Sequence, residues 1–166
     1  MKNLIKKLVI SILIWEAKRV INRQQPKIIA ITGSVGKTQT KDAVVATLFD
    51  LVTVRGNQKS YNSEFGVPLT ILNLSSGWSN PWSWFKILLL GLWRSLITIK
   101  NYPSYLVLEI GADHPNDIKK IMTWLKPDIG IITRLPNLPV HVEYFSGPEA
   151  VIAEKMALAE NVKPTG

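Results

Sequence analysis

Between the apolar run Lys27-Ile28-Ile29-Ala30-Ile31-Thr32 and a segment of helical spacing stands Gly33-Ser34-Val35-Gly36-Lys37-Thr38. No other stretch constrains the chain as strongly. A buried strand must end here, the backbone must turn sharply through two glycines, and a helix must begin. Main-chain N–H groups then converge at a helix N-terminus, whose positive partial charge suits phosphate oxygens. On this reading Gly33, Ser34, Val35 and Gly36 wrap the phosphates of a nucleotide. Lys37 reaches the outer phosphates and Thr38 offers its hydroxyl to Mg²⁺. The spacing is G-x-x-G-K-T, because five positions before Gly36 stands Ile31 rather than glycine. That departs from the longer G-x-x-x-x-G-K-[ST] form and disfavours ordinary GTPases and kinases.

The rest of the chain alternates in the same way. A helix is predicted over residues 37–51, with Val44, Val45, Leu48 and Phe49 on its apolar face, and a short strand over 52–55. A polar loop over 56–66 leads into the apolar residues 67–72. Strands follow at 105–110 and 128–133, helices at 115–125 and 148–161. Such alternation predicts an α/β fold, a mostly parallel sheet with helices on both faces. Residues 1–26 read as a separate basic amphipathic helix. Residues 27–166 form the nucleotide-binding domain, with an apolar, tryptophan-rich insertion at about 75–100.

Charge separates the N-terminus from the rest. Residues 1–27 carry seven Lys and Arg against Glu16 alone, which is +6 of the chain's net +8. A nucleic-acid binder would carry its basic stripe on the folded domain, so no nucleic-acid partner is expected. The apolar stretch at 8–15 falls far short of the roughly 20 residues of a spanning helix, and no signal-peptide cleavage site follows. Leu4, Ile5, Leu8, Val9, Ile12 and Leu13 recur at helical spacing beside Lys6, Lys7 and Lys18. This fits a helix on an anionic membrane surface, or one packed on the domain or on a missing neighbour. The same two readings apply to residues 75–100, which hold Trp78, Trp82, Trp84 and Trp93. The chain has no cysteine, which excludes a disulfide framework and fits the cytoplasm.

Four further segments stand in an order that, with the short loop, resembles the Mur ligases and their folylpolyglutamate synthase relatives. They are Tyr61-Asn62-Ser63-Glu64-Phe65-Gly66-Val67-Pro68-Leu69-Thr70; Leu108-Glu109-Ile110-Gly111-Ala112-Asp113; Pro115-Asn116-Asp117-Ile118; and His141-Val142-Glu143-Tyr144-Phe145 with Ala153-Glu154-Lys155 downstream. The resemblance covers roughly residues 27–166 and is strongest to the branch that adds D-alanyl-D-alanine to UDP-linked muramoyl tripeptide. It implies an ATP-dependent amide-bond ligase of peptidoglycan precursor synthesis, using ATP and Mg²⁺ through an acyl phosphate. It further implies that Asn62 belongs to the nucleotide site, that Thr38 and Glu109 hold Mg²⁺, and that His141 assists a second Mg²⁺. Lys155 would be carbamylated into a carboxylate-like ligand. Ser63, Asn116, Arg134 and Ala157 depart from that branch's asparagine, glycine, asparagine and acidic residue.

Only 26 residues stand where this family carries a nucleotide-sugar-binding domain, and residues 163–166 stand where a turn into another strand is expected. The expectation is therefore an incomplete central domain that does not ligate alone. Alternatives are a folylpolyglutamate synthase-like ligase, a membrane-attached nucleotide-binding module without ligase activity, and an unrelated NTPase. The last is weakened by the short loop and the lack of a guanine-reading N-K-x-D.

Overall fold

The computed structural model describes residues 2–58, 60–77, 80–136 and 142–164, with main chain only for residues 2 and 3. Its elements run α1 (Lys2–Gln24), β1 (Lys27–Thr32), α2 (Lys37–Phe49), β2 (Val54–Gly56), α3 (Gly66–Leu72) and α4 (Pro81–Leu96). Then come β3 (Tyr105–Glu109), α5 (Asp117–Met122), β4 (Ile129–Ile132), a 3₁₀ turn at Val142–Tyr144 and α6 (Pro148–Ala159). The four strands pair in the order β2-β3-β1-β4, all parallel. This is the expected doubly covered α/β architecture.

Strand periodicity divides the core. Ile29, Ile31 and Val107 point to one face and meet Val44, Val45 and Leu48 of α2. Ile28, Ala30, Leu106 and Leu108 point to the other and join the larger core built with α1, α3, α5 and α6. Both faces of the central strands are covered, so these strands are apolar throughout rather than alternating. Phe49, grouped by spacing with the buried face of α2, instead ends that helix and is 72% exposed. Parallel register sets Ile31 opposite Glu109 and Thr32 opposite Ile132. The loop after β1, the end of β3 and the residues after β4 therefore share one sheet edge, where open α/β sheets bind ligands.

The N-terminal helix packs by a face that shares only Val9 and Leu13 with the one its spacing suggests. Ile10, Leu13, Ala17 and Val20 are buried, whereas Leu4, Ile5 and Leu8 stay exposed. Apolar residues run round most of α1, so its sequence offers two candidate faces. Contact with α3 and α4 selects one and leaves the other open.

Candidate active site

The loop after β1 leaves the strand through Gly33 and reaches α2 through Gly36, at φ +88°. Gly36 caps α2 in the left-handed region, where any side chain would be strained. The first N–H groups of α2, which like those of any helix lack an intrahelical acceptor, receive no side-chain cap. The Ser34 and Val35 N–H groups are used differently. Both donate to the Arg134 carbonyl, at 3.2 and 3.3 Å. Arg134 takes part through its main chain, so its departure from the expected asparagine leaves this contact intact.

Three side chains expected to act together do meet. Thr38 Oγ1 donates to Glu109 Oε2 at 2.8 Å, and Asn62 Nδ2 donates to Glu109 Oε1 at 3.3 Å. Lys37 Nζ folds back onto the Gly33 carbonyl at 3.0 Å. The hydroxyls of Thr32, Ser34 and Thr133 are buried around the loop without hydrogen-bond partners. Such orphaned groups cost free energy unless a ligand or water satisfies them. His141 lies outside the described residues.

Glu109 is held by a residue the sequence did not single out. The Asn57 side chain donates to the Glu109 carbonyl (2.9 Å) and accepts from the Glu109 N–H (2.8 Å). It also donates to the Tyr61 carbonyl at 2.9 Å. Lys41 in turn donates to the Asn57 carbonyl at 2.9 Å. Asn57 thus ties the end of β3 to the segment carrying Asn62. Its only sequence signal was a Gly-Asn pair after a short strand, which reads as an ordinary turn.

Lys155 sits on α6 and is 2% exposed. Burial, with repulsion from nearby Lys37, depresses its amine pKa, while Asp113 and Glu154 act the other way. The neighbouring Glu154 is committed elsewhere. Its carboxylate accepts N–H groups from Asn116 (3.0 Å), Ile118 (2.8 Å) and Lys119 (3.1 Å), capping α5 from another helix. Asn116 adopts φ +70°, which explains its departure: asparagine is the residue that best replaces glycine in the left-handed region. Lys155→Met retains the length and removes a buried cation. It is expected to raise stability in urea by about 1–3 kcal/mol at neutral pH. Unchanged or lower stability would show that the amine is well satisfied.

Beside Asn62 a cleft opens onto Gly111, His114 and Asp117. His114, also unassigned by the sequence, packs its ring 4.8 Å from that of Tyr144. Among the described residues no group of three or more His, Cys, Asp or Glu converges on one point.

The Mur ligase middle domain matches residues 89–166. A UDP-N-acetylmuramoyl-tripeptide–D-alanyl-D-alanine ligase of Rickettsia prowazekii is 29% identical over 138 residues, which is 81% of this chain and 24% of that protein. The ligase of the same name from Mycobacterium leprae is 30% identical over 139 residues, 84% of this chain and 22% of its own. The crystal structure of MurF ligase from Thermotoga maritima in complex with ADP superposes with a TM-score of 0.70 at 25% identity. The match covers 93% of this chain and 30% of that one. The chain thus spans about a quarter of the length of the curated relatives it matches.

Proposed function

The chain belongs to the Mur ligase family, and from that premise we propose that it is the ATP-binding part of an ATP-dependent carboxylate–amine ligase of peptidoglycan precursor synthesis. One observation carries the reading. Thr38, at the uncapped start of α2, is hydrogen-bonded to Glu109 from the neighbouring strand β3. A hydroxyl and a carboxylate thus stand together beside a phosphate-binding turn. This oxygen set suits Mg²⁺, an ion held by one or two protein oxygens with phosphates and water completing its shell.

ATP supplies the leaving group: transfer of its terminal phosphoryl to a substrate carboxylate releases ADP, and attack of an amine on the acyl carbon expels phosphate with loss of the amine proton. The protein's task is positioning and charge neutralisation. Lys37 exchanges the Gly33 carbonyl for phosphate oxygens. Thr38 and Glu109 would hold Mg²⁺, with Asn62 orienting Glu109 and Asn57 fixing the strand end beneath it. Lys155, whose buried amine disfavours its charged form, is suited to carbamylation. The new group would add a negative ligand near Lys37, with His141 as a further metal-side residue. The names of the relatives suggest a UDP-linked muramoyl tripeptide as carboxylate donor and D-alanyl-D-alanine as amine. The cytoplasm is the proposed compartment, with the chain peripheral at the inner face of the plasma membrane.

Calorimetry with Mg-ATP tests the phosphate site. The full chain is expected to bind, and Lys37→Ala is expected to weaken binding about a hundredfold, because one charge-assisted contact to phosphate is lost. Equal affinity in the variant would overturn the assignment of Lys37.

A further inference from the structure

The nucleotide site leaves the outer side of α4 unexplained. On its inner side Trp84, Ile87 and Leu88 pack on the core, and Gly91 and Ser95 are buried. Gly91 lies directly against the Glu16 carboxylate of α1. On its outer side Trp82, Phe85, Leu89, Trp93 and Leu96 recur at spacings of three and four. They are 73, 55, 51, 60 and 49% exposed. A continuous apolar stripe of this kind is rarely left to water. It is not a span either. Sixteen residues reach about 24 Å, short of a hydrocarbon core of about 30 Å. Among the described residues no helix is long and apolar enough to cross a membrane.

Charge identifies the occupant. Helix α4 has no acidic residue, and Glu16, the sole acid of α1, is turned inward at 1% exposure. Lys7, Lys18 and Arg23 of α1 and Lys86 of α4 are exposed. Arg94 is not available, being bound to the carbonyls of Leu72 and Asn73. A second copy docking face to face would bring Lys86 onto a surface that offers no acidic residue to pair with it. An anionic bilayer neutralises the same cations and accepts tryptophan at its interface. We infer that the outer face of α4, with α1 beside it, docks on an anionic lipid bilayer, the helix lying in the membrane plane. This rests on the peripheral placement proposed above and names the surface responsible for it.

Co-sedimentation of the full chain with vesicles of phosphatidylcholine and phosphatidylglycerol, against phosphatidylcholine alone, tests it. The unaltered chain is expected to favour the anionic vesicles and to be released by salt. Trp82→Ser with Trp93→Ser is expected to lower partitioning at least about tenfold, with an unchanged melting curve because both positions face outward. Lys18→Glu with Lys86→Glu keeps the apolar face and is expected to lower it about tenfold at low salt. If the unaltered chain ignores both vesicle types, the peripheral placement itself fails. If it binds and the tryptophan variant binds equally, the placement stands and the α4 face is wrong. A dimer in solution that the tryptophan variant abolishes would give the face to a second copy and overturn the inference.

Discussion

Replacing Gly66 by alanine is expected to destabilise the fold by about 3 kcal/mol or more and to weaken Mg-ATP binding with it. The cause is a close approach of backbone rather than a turn. A Cβ at Gly66 would stand 2.3 Å from both the Cα and the carbonyl carbon of Tyr61. Backbone cannot swing aside as a flexible side chain can, so the two segments must separate. Gly66 opens α3, all seven residues of which are buried, so the helix has little room to retreat. Movement would instead fall on residues 61 and 62. Asn57 holds the Tyr61 carbonyl, and the Asn62 carbonyl accepts the Gly111 N–H at 2.8 Å. Both contacts adjoin Glu109, so packing strain reaches the proposed metal ligand. Urea denaturation and calorimetry on the same variant would measure the two effects. A variant as stable as the parent would reject the close-packing argument. One that is destabilised yet binds normally would reject the link to Glu109.

What the sequence revealed, and what it hid, follows the range of the interactions. The glycine turn between β1 and α2 was legible because its parts are consecutive: strand, two glycines, lysine, threonine, helix. Glu109 was legible because it ends an apolar strand, and parallel pairing carries that end to the loop. The approach of Asn62 to Glu109 agrees with its family resemblance, although nothing in its local pattern dictated it. Asn57 was hidden because its bonds to Glu109 span 52 residues and use that residue's main chain, which leaves no trace in side-chain type. Glu154 was hidden for the same reason. It looks like one carboxylate of a solvated helix, yet it caps α5 across 36 residues. The departure at Asn116 became intelligible only from its φ. The packed face of α1 could not be chosen from spacing, because apolar residues surround that helix and only α3 and α4 decide between them.

The stability difference between the parent chain and Glu16→Gln is expected to depend on pH, with the variant gaining about 3 kcal/mol or somewhat less by about pH 8. Burial pushes the Glu16 carboxyl from its ordinary 4.5 up to about 7. Its Oε2 lies against Gly91 without a hydrogen-bond partner, and Arg19, one turn on, stacks over Trp15 at 5.0 Å. The folded state therefore prefers the protonated acid. Below about pH 4.5 the carboxyl is neutral in both states and imposes no charge penalty. As pH rises to about 7 the unfolded chain ionises first and stability falls; above that the penalty is constant. Glutamine has no such titration, so subtracting the two urea-derived curves between about pH 4 and pH 8 isolates Glu16 from every other group. A flat difference would mean that the carboxyl is hydrated or paired in solution. Glu16 joins α1 to α4, on the face of the sheet opposite α2. Mg-ATP affinity should therefore not follow this pH curve, whereas the seating of α1, and with it vesicle binding, should loosen as the carboxyl ionises.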